Sequence, residues 1–156
     1  MSVPGYTITT AGALALTAAT AKTILNIING TNALVRLVEF SVSFDGVTAT
    51  AVPVLVELCS STQAGAGTPT GGMFTPTQIR GATRACQATG GRNYSAEPTA
   101  LTVWKEWLVP AFNGVLVLQC PLGREPEQIV TVDGLLLRCT APAGVNVRGY
   151  MEFEEG

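Results

Sequence analysis

The stretch LVRLVEFSVSFDGV, from Leu34 to Val47, constrains the fold more than any other part of the chain. From Val38 to Phe44 it alternates apolar and polar residues, and a period of two is typical of a β-strand with one buried face and one wet face. The apolar members predict the buried face: Val38, Phe40, Val42 and Phe44. The polar members predict the wet face: Glu39, Ser41 and Ser43.

Similar patterns recur at short intervals, and Gly, Pro, Asn and Asp separate them. The further predicted strands are YTIT, KTILNIIN, TAVPVLVELCS, LTVWKEWLV, GVLVLQCPLG, EQIVTV, GLLLRCT and VNVRGYMEFE. About eight strands without a long helical period favour two antiparallel sheets packed face to face. We therefore predict an all-β protein, an antiparallel β-sandwich that is jelly-roll-like.

The length of 156 residues fits one domain. We predict an extended N-terminal arm over residues 1–21, although the alanine-rich AGALALTAATA within it could instead form a short helix. Residues 22–156 are predicted to form the single sandwich domain, with a long inserted loop over 60–98. Loops of that length are usually functional or disordered. The alternative is a glycine- and threonine-rich insertion that packs over one sheet.

The amino-acid composition limits the classes of partner that the protein can bind. Only 13% of the residues are charged, against about 25% in an ordinary soluble domain, so a partner is expected to cover part of the surface. The net charge is −2 and the basic residues are scattered singly, which argues against nucleic acid. No apolar run approaches the ~20 residues that cross a bilayer, and the N-terminus lacks a signal-peptide pattern. We expect no membrane partner and no secretion.

The residues also argue against catalysis. The chain has no histidine, which excludes Ser/His/Asp and Cys/His nucleophilic sites and mixed Cys/His zinc sites. Nothing in the spacing of the acidic residues selects a glycosidase pair, and two aspartates are too few for a calcium loop. We therefore expect no enzymatic activity, no cofactor, no metal and no small-molecule substrate.

The four cysteines stand alone in the sequence, with no CxxC pair. Cys59, Cys120 and Cys139 end apolar runs, where a free cysteine behaves as a small buried hydrophobe. Cys86 lies in a polar stretch and is the candidate for a disulfide or an exposed thiol.

Contacts with a partner are predicted in the arm and in the long loop, because both hold apolar residues outside the regular strands and the loop adds arginines. The predicted contact residues are Val3, Tyr6, Ile8, Leu14, Leu16, Met73, Phe74, Ile79, Arg80, Arg84, Arg92 and Tyr94.

Four segments carry a resemblance: TAATAKTILNIING, VRLVEFSVSFDGVTATAVPVLVEL, SAEPTA and PLGREPEQIVTVDGLLLRCTAPAGVNVRGYMEFEE. Taken in order, they resemble tailed-bacteriophage capsid decoration, or cement, proteins and minor structural proteins. The likeness covers about two-thirds of the chain, omits residues 60–91 and includes no catalytic signature.

The resemblance implies a β-sandwich that stabilises an icosahedral head from the outside. It also implies a homotrimer bound to the major capsid protein at threefold or quasi-threefold positions. The protein would be made in the host cytoplasm and located on the capsid exterior of the virion.

An alternative function is a carbohydrate- or receptor-binding β-sandwich of a phage tail or fibre. The aromatic residues that could stack on sugar rings are Trp104, Trp107, Tyr94 and Tyr150. Against this, tryptophans inside strands more often belong to a core, because each buries a large apolar area.

Overall fold

The computed structural model of the protein describes residues 2–62 and 65–156. Two antiparallel sheets pack face to face, so the predicted all-β antiparallel sandwich is confirmed. The strands, in chain order, are β1 (Gly5–Thr9), β2 (Leu14–Leu16), β3 (Ala21–Ile28), β4 (Val35–Phe44), β5 (Val54–Ser61), β6 (Thr68–Pro69), β7 (Thr77–Arg80), β8 (Thr89–Arg92), β9 (Tyr94–Ala96), β10 (Leu101–Val109), β11 (Val115–Gln119), β12 (Glu127–Gln128), β13 (Gly134–Thr140) and β14 (Val145–Glu155).

The first sheet has the order β11-β4-β14-β1-β7, with β12 also paired to β4 and β2 also paired to β14. The second sheet has the order β10-β5-β13-β3-β8, and β6 pairs with β9 in a small separate sheet. The first sheet therefore ends at β11 and β7, and the second ends at β10 and β8.

The alternation in β4 has the predicted phase in its second half, where Phe40, Val42 and Phe44 are buried. The phase changes at Val38, because the pairing with β14 shifts register there: Glu152 lies opposite Glu39, whereas Phe153 lies opposite Leu37. Val38 is thus an extra residue in the ladder, a β-bulge, and is only half-buried. The buried positions before it are Val35 and Leu37.

The segment predicted as an N-terminal arm is instead part of the sandwich over its described residues, 2–21. Strand β1 lies inside the first sheet between β14 and β7, and β2 pairs with β14. Tyr6 and Ile8 point into the core, and Thr7 and Thr9 point away from it. Met1 lies outside the described residues.

The long loop predicted over 60–98 contains four short strands, β6 to β9, two of which complete the sheets at β7 and β8. Sequence periodicity missed them because they are two to four residues long, which is too short to show a repeat of apolar residues. Conversely, only Glu127 and Gln128 of the predicted strand EQIVTV pair in a sheet. Residues 63 and 64 lie outside the described part of the loop.

Candidate functional site

One side of the sandwich, where β7 and β8 end the two sheets, is closed by its own side chains. Phe74 and Gly90 exchange two backbone hydrogen bonds of 2.8 Å. The Arg92 guanidinium lies 3.9 Å from the centroid of the Phe74 ring, which is a cation–π contact. The glycine is required there, because a Cβ at position 90 would lie 2.7 Å from the Phe74 ring and 2.8 Å from Ile8.

A buried carboxylate holds the segment that follows β7. Glu155, at the end of β14, is fully buried and accepts hydrogen bonds from the backbone N–H groups of Gln87 and Ala88 at 2.8 to 3.0 Å. The Cys86 thiol donates to the same carboxylate at 3.4 Å. This glutamate therefore has a structural role.

A second group of polar contacts holds the strand β9 region against the second sheet. The Glu97 carboxylate accepts from the Thr23 amide at 2.6 Å, and Asn26 Nδ2 donates to the Tyr94 hydroxyl at 3.1 Å. Tyr94 is buried but lies outside the main core cluster. The β9 region thus packs against the second sheet, while β7 and β8 of the same inserted segment extend the two sheets at their edges.

The predicted contact residues fall into three groups. The buried group is Tyr6, Ile8, Leu16 and Tyr94, and these are interior positions rather than contact positions. Partly buried residues that pack against the core or against each other are Leu14, Phe74 and Arg92. The exposed group is Val3, Met73, Ile79, Arg80 and Arg84.

Within the exposed group, the arginines already have partners in the chain. Arg80 forms an ion pair with Glu154 at 2.6 Å, and Arg84 lies 3.9 Å from Glu155. Arg80 reaches across β1 because position 5 is glycine, where a Cβ would lie 2.5 Å from its Nε. These arginines are therefore not free binding groups.

The exposed large apolar side chains concentrate in a different part of the chain. Of the fifteen found in the described residues, ten lie between positions 103 and 132, and we call these ten the apolar edge. They are Val103, Trp104, Leu108, Phe112, Val115, Val117, Leu122, Ile129, Val130 and Val132.

The apolar edge includes the open side of the sandwich. β10 ends the second sheet and β11 ends the first, and residues 110–114 connect them. Trp107 of β10 packs edge-on against Phe40 of β4, with 5.5 Å between ring centroids, so the two sheet edges lie side by side. The remaining members lie in the segment after β11, where Leu122 is 94% exposed.

Sequence reasoning missed this surface. The run GVLVLQC is apolar at every position from Val115 to Leu118, which is typical of a strand covered on both faces. The structure places it at a sheet edge, so Val115 and Val117 are exposed while Leu116 and Leu118 pack against the core. The apolar character of both phases of VLVL was the available signal in the sequence, but the position of β11 at the sheet edge was not.

The cysteines do not supply a reactive group. All four are free thiols, and Cys59, Cys120 and Cys139 are buried as predicted. Burial raises the pKa of Cys59 to about 11 and also raises the pKa of Cys120 and Cys139. Burial and the neighbouring Glu155 carboxylate raise the pKa of Cys86 to about 12. Near neutral pH these thiols are protonated and are poor nucleophiles.

One open cleft of about 500 Å³ lies at an end of the sandwich, between the segments 45–54 and 142–146. Small and aliphatic residues dominate its wall, and its one carboxylate, Asp45, accepts hydrogen bonds from the backbone and side chain of Asn146. Those bonds lower the pKa of Asp45. The cleft has no aromatic surface on which a sugar ring could stack.

Within residues 2–62 and 65–156, no group of three His, Cys, Asp or Glu residues is arranged to hold a metal ion. Nor does any helix there have the length and apolar character needed to span a membrane.

No protein-family model matches the chain, and no curated protein matches it. Among solved structures, it is similar to the infectious bursal disease virus VP2 subviral particle, with 12% identity, a TM-score of 0.24, and coverage of 96% of this chain and 41% of that chain. It is also similar to T=1 particles derived from infectious bursal virus, with 11% identity, a TM-score of 0.25, and coverage of 96% and 39%. The chain thus spans about two fifths of those chains, and similarity this low transfers neither function nor partners.

Proposed function

We propose that the chain is a virion structural protein that decorates and stabilises a phage capsid by binding the major capsid protein at threefold or quasi-threefold positions. The observation that carries the proposal is the apolar edge, because it holds ten of the fifteen exposed large apolar side chains. The resemblance of four sequence segments to phage decoration proteins supplies the identity of the partner. The proposed location is the capsid exterior, after synthesis in the host cytoplasm.

The size of the apolar edge is consistent with a protein interface. Its ten large apolar side chains are each at least 39% exposed, and clustered exposed apolar surface marks protein interaction sites. A standard interface buries about 800 Å² on each partner. Burial of apolar surface contributes about 25 cal/mol per Å² before the costs of association, so covering these side chains would favour binding to a protein partner.

Capsid decoration also uses symmetry. A symmetric oligomer that binds a lattice through several equal contacts gains effective concentration for each contact after the first. Modest individual interfaces then give firm attachment. The charge of the apolar edge fits a protein partner better than a polyanion, because Lys105, Glu106, Arg124 and Glu125 balance one another along it.

We further propose that the protein acts without catalysis, cofactor, metal or small-molecule substrate. The buried carboxylate of Glu155 is engaged with backbone amides, and Glu57 pairs with Arg138 at 2.8 Å. Both glutamates therefore stabilise the fold.

The carbohydrate-binding alternative is weaker, because three of its four aromatic residues have partners inside the chain. Trp107 packs on Phe40, Tyr94 is buried, and the Tyr150 hydroxyl donates to Glu39. Trp104 alone of the four is both exposed and free of a described ring contact within the described residues. A single aromatic without a surrounding polar pocket does not define a sugar site.

The test uses cosedimentation of the purified chain with phage heads from which decoration protein has been removed. We expect saturable binding and no binding to a glycan array. Leu122→Lys, at the most exposed member of the apolar edge, is expected to weaken head binding at least about tenfold, because it places a charge in the contact. Ile79→Lys, on β7 at the opposite edge of the first sheet and 46% exposed, is the matched control and should bind as the native chain does. Absence of binding by the native chain would refute the proposal.

A further inference from the structure

Strand β11 is a sheet edge without the usual protection against pairing. Its sequence VLVLQ contains no charge and no proline, and its ladder with β4 runs without a register shift. Val115 and Val117 are 63% and 56% exposed. A straight apolar edge strand is a template for a further strand, and proteins that do not use such an edge blunt it.

The other three sheet edges are blunted. β10 has a register shift between Val103 and Lys105, and Lys105 and Glu106 place charges in its centre. β7 is four residues long and ends in Arg80, which is paired with Glu154. β8 is covered by its bridge to Phe74. Bulges, charges, short length and covering segments are the recognised means of preventing edge pairing, and β11 lacks all four.

The hydrogen bonds at both ends of β11 fix which backbone groups are free. The Gly114 carbonyl accepts from Phe44, and the Cys120 amide donates to Val38, so the even-numbered residues face β4. Because consecutive residues of a strand direct their N–H and C=O groups to opposite sides, those of Val115, Val117 and Gln119 point outward from the sheet edge.

We propose that a second copy of this chain pairs with β11 to form a two-fold symmetric dimer with a continuous sheet. The axis passes between the two Val117 residues, perpendicular to the sheet. Each Val117 then lies opposite the Val117 of the other copy, and Val115 lies opposite Gln119. All three pairs consist of residues whose backbone groups point outward, so each forms two hydrogen bonds.

Side-chain packing agrees with this register. In an antiparallel pair, residues directly opposite share a face of the sheet. Val117 therefore meets its symmetry mate on the outer face, and Leu116 meets Leu118 of the second copy on the inner face. Leu116 and Leu118 already pack against the core at its margin, so the second copy would extend the core across the axis.

A second copy suits this edge better than another occupant, because VLVLQ is complementary to itself in both shape and charge. A two-fold contact closes on itself, and the blunted β7 edge of the first sheet prevents the dimer from growing into a filament. The dimer covers Val115 and Val117 of the apolar edge and leaves its other eight members for the capsid contact. It also differs from the homotrimer that the sequence resemblance implies, so the oligomeric state separates the two.

The experiment introduces opposite charges at position 117 and measures mass by native mass spectrometry and light scattering. We expect the native chain at twice 16.2 kDa. Val117→Lys alone and Val117→Glu alone should each be monomeric, because like charges meet at the axis. An equimolar mixture of the two variants should recover the dimer, which also shows that both variants are folded.

Two controls sharpen the result. Val117→Pro removes an outward N–H and no bond to β4, so it should give a folded monomer. Ile79→Lys, an exposed apolar position on the opposite edge strand β7, should remain dimeric. A native chain that is monomeric or trimeric at tens of micromolar, or a dimer that survives Val117→Lys, would overturn the proposal.

Discussion

The backbone amide of Ala88 donates a 2.8 Å hydrogen bond to the carboxylate of Glu155, which is the last residue of the last strand. The two residues are 67 positions apart, and the same carboxylate also binds the amide of Gln87. A single side chain at the C-terminal end thus fixes the segment between β7 and β8, which lies at the closed side of the sandwich.

Glu155→Ala is therefore expected to lower the free energy of unfolding by about 2–4 kcal/mol, because two backbone amides lose a charged acceptor in a buried place. Urea unfolding measures the change. Glu154→Ala is the matched control, since its ion pair with Arg80 is at the surface and should contribute less than about 1 kcal/mol. Equal losses for the two variants would contradict the structural role of Glu155.

A second prediction concerns Gly90. Gly90→Ala is expected to destabilise the fold by about 1–3 kcal/mol, because the added methyl would overlap both the Phe74 ring and Ile8 in a packed interior. Gly144→Ala is the matched control. A Cβ there would come no nearer than 3.8 Å to Leu16, and alanine in place of glycine restricts the unfolded chain, so its stability should be unchanged or slightly higher. Thermal unfolding of the two variants tests both values.

The sequence was sufficient to predict the sheets but not their edges. Period-two alternation identified β4, β5, β10 and β14, and apolar runs bounded by turn residues identified β3 and β13. The short strands β6 to β9 have no such repeat, and their positions depend on distant contacts such as that between Phe74 and Gly90. Local patterns carry no information on these contacts.

The same limit explains why some predicted contact residues lie in the interior of the sandwich and why exposed ones such as Val117 were missed. The sequence predicted Tyr6 and Ile8 in the strand YTIT, but it placed that strand in an N-terminal arm, because the pairing of β1 with β14 joins residues that are far apart in the chain. Exposure of Val117 depends on its place at the end of the strand order, which alternation cannot give. The strand character of these residues was therefore predictable from the sequence, and the position of each strand in its sheet was not.

A third prediction concerns tyrosine ionisation. The hydrogen bond and negative charge of Glu39 raise the pKa of Tyr150 to about 12, and burial raises the pKa of Tyr6 and Tyr94. Phenolate absorbance near 295 nm should therefore rise at a higher pH in the folded chain than the pH ~10 at which free tyrosine titrates. Glu39→Gln should lower the pKa of Tyr150, and Tyr150→Phe should remove its step.

The sign of the stability effect follows from proton binding. Between pH 10 and 12 the folded chain keeps the Tyr150 proton that the unfolded chain has lost. The contribution of Tyr150 to stability is therefore fully present below pH 10 and is lost as the pH rises through 12. Tyr150→Phe should flatten this part of the stability profile, and an unchanged slope would argue against the Glu39 contact.

The fourth prediction concerns the thiols, and it links Cys86 to Glu155. With a pKa of about 12 and a carboxylate 3.4 Å away, Cys86 should react with a thiol reagent at pH 8 at least ~100-fold more slowly than an unfolded cysteine. All four cysteines should react rapidly in denaturant. Glu155→Ala removes the nearby negative charge and releases the segment around Cys86, so it should accelerate the reaction of that thiol selectively. Mass spectrometry of the modified peptides identifies the site, with Cys86→Ser as the control, and rapid labelling of Cys86 in the native chain would contradict the contact with Glu155.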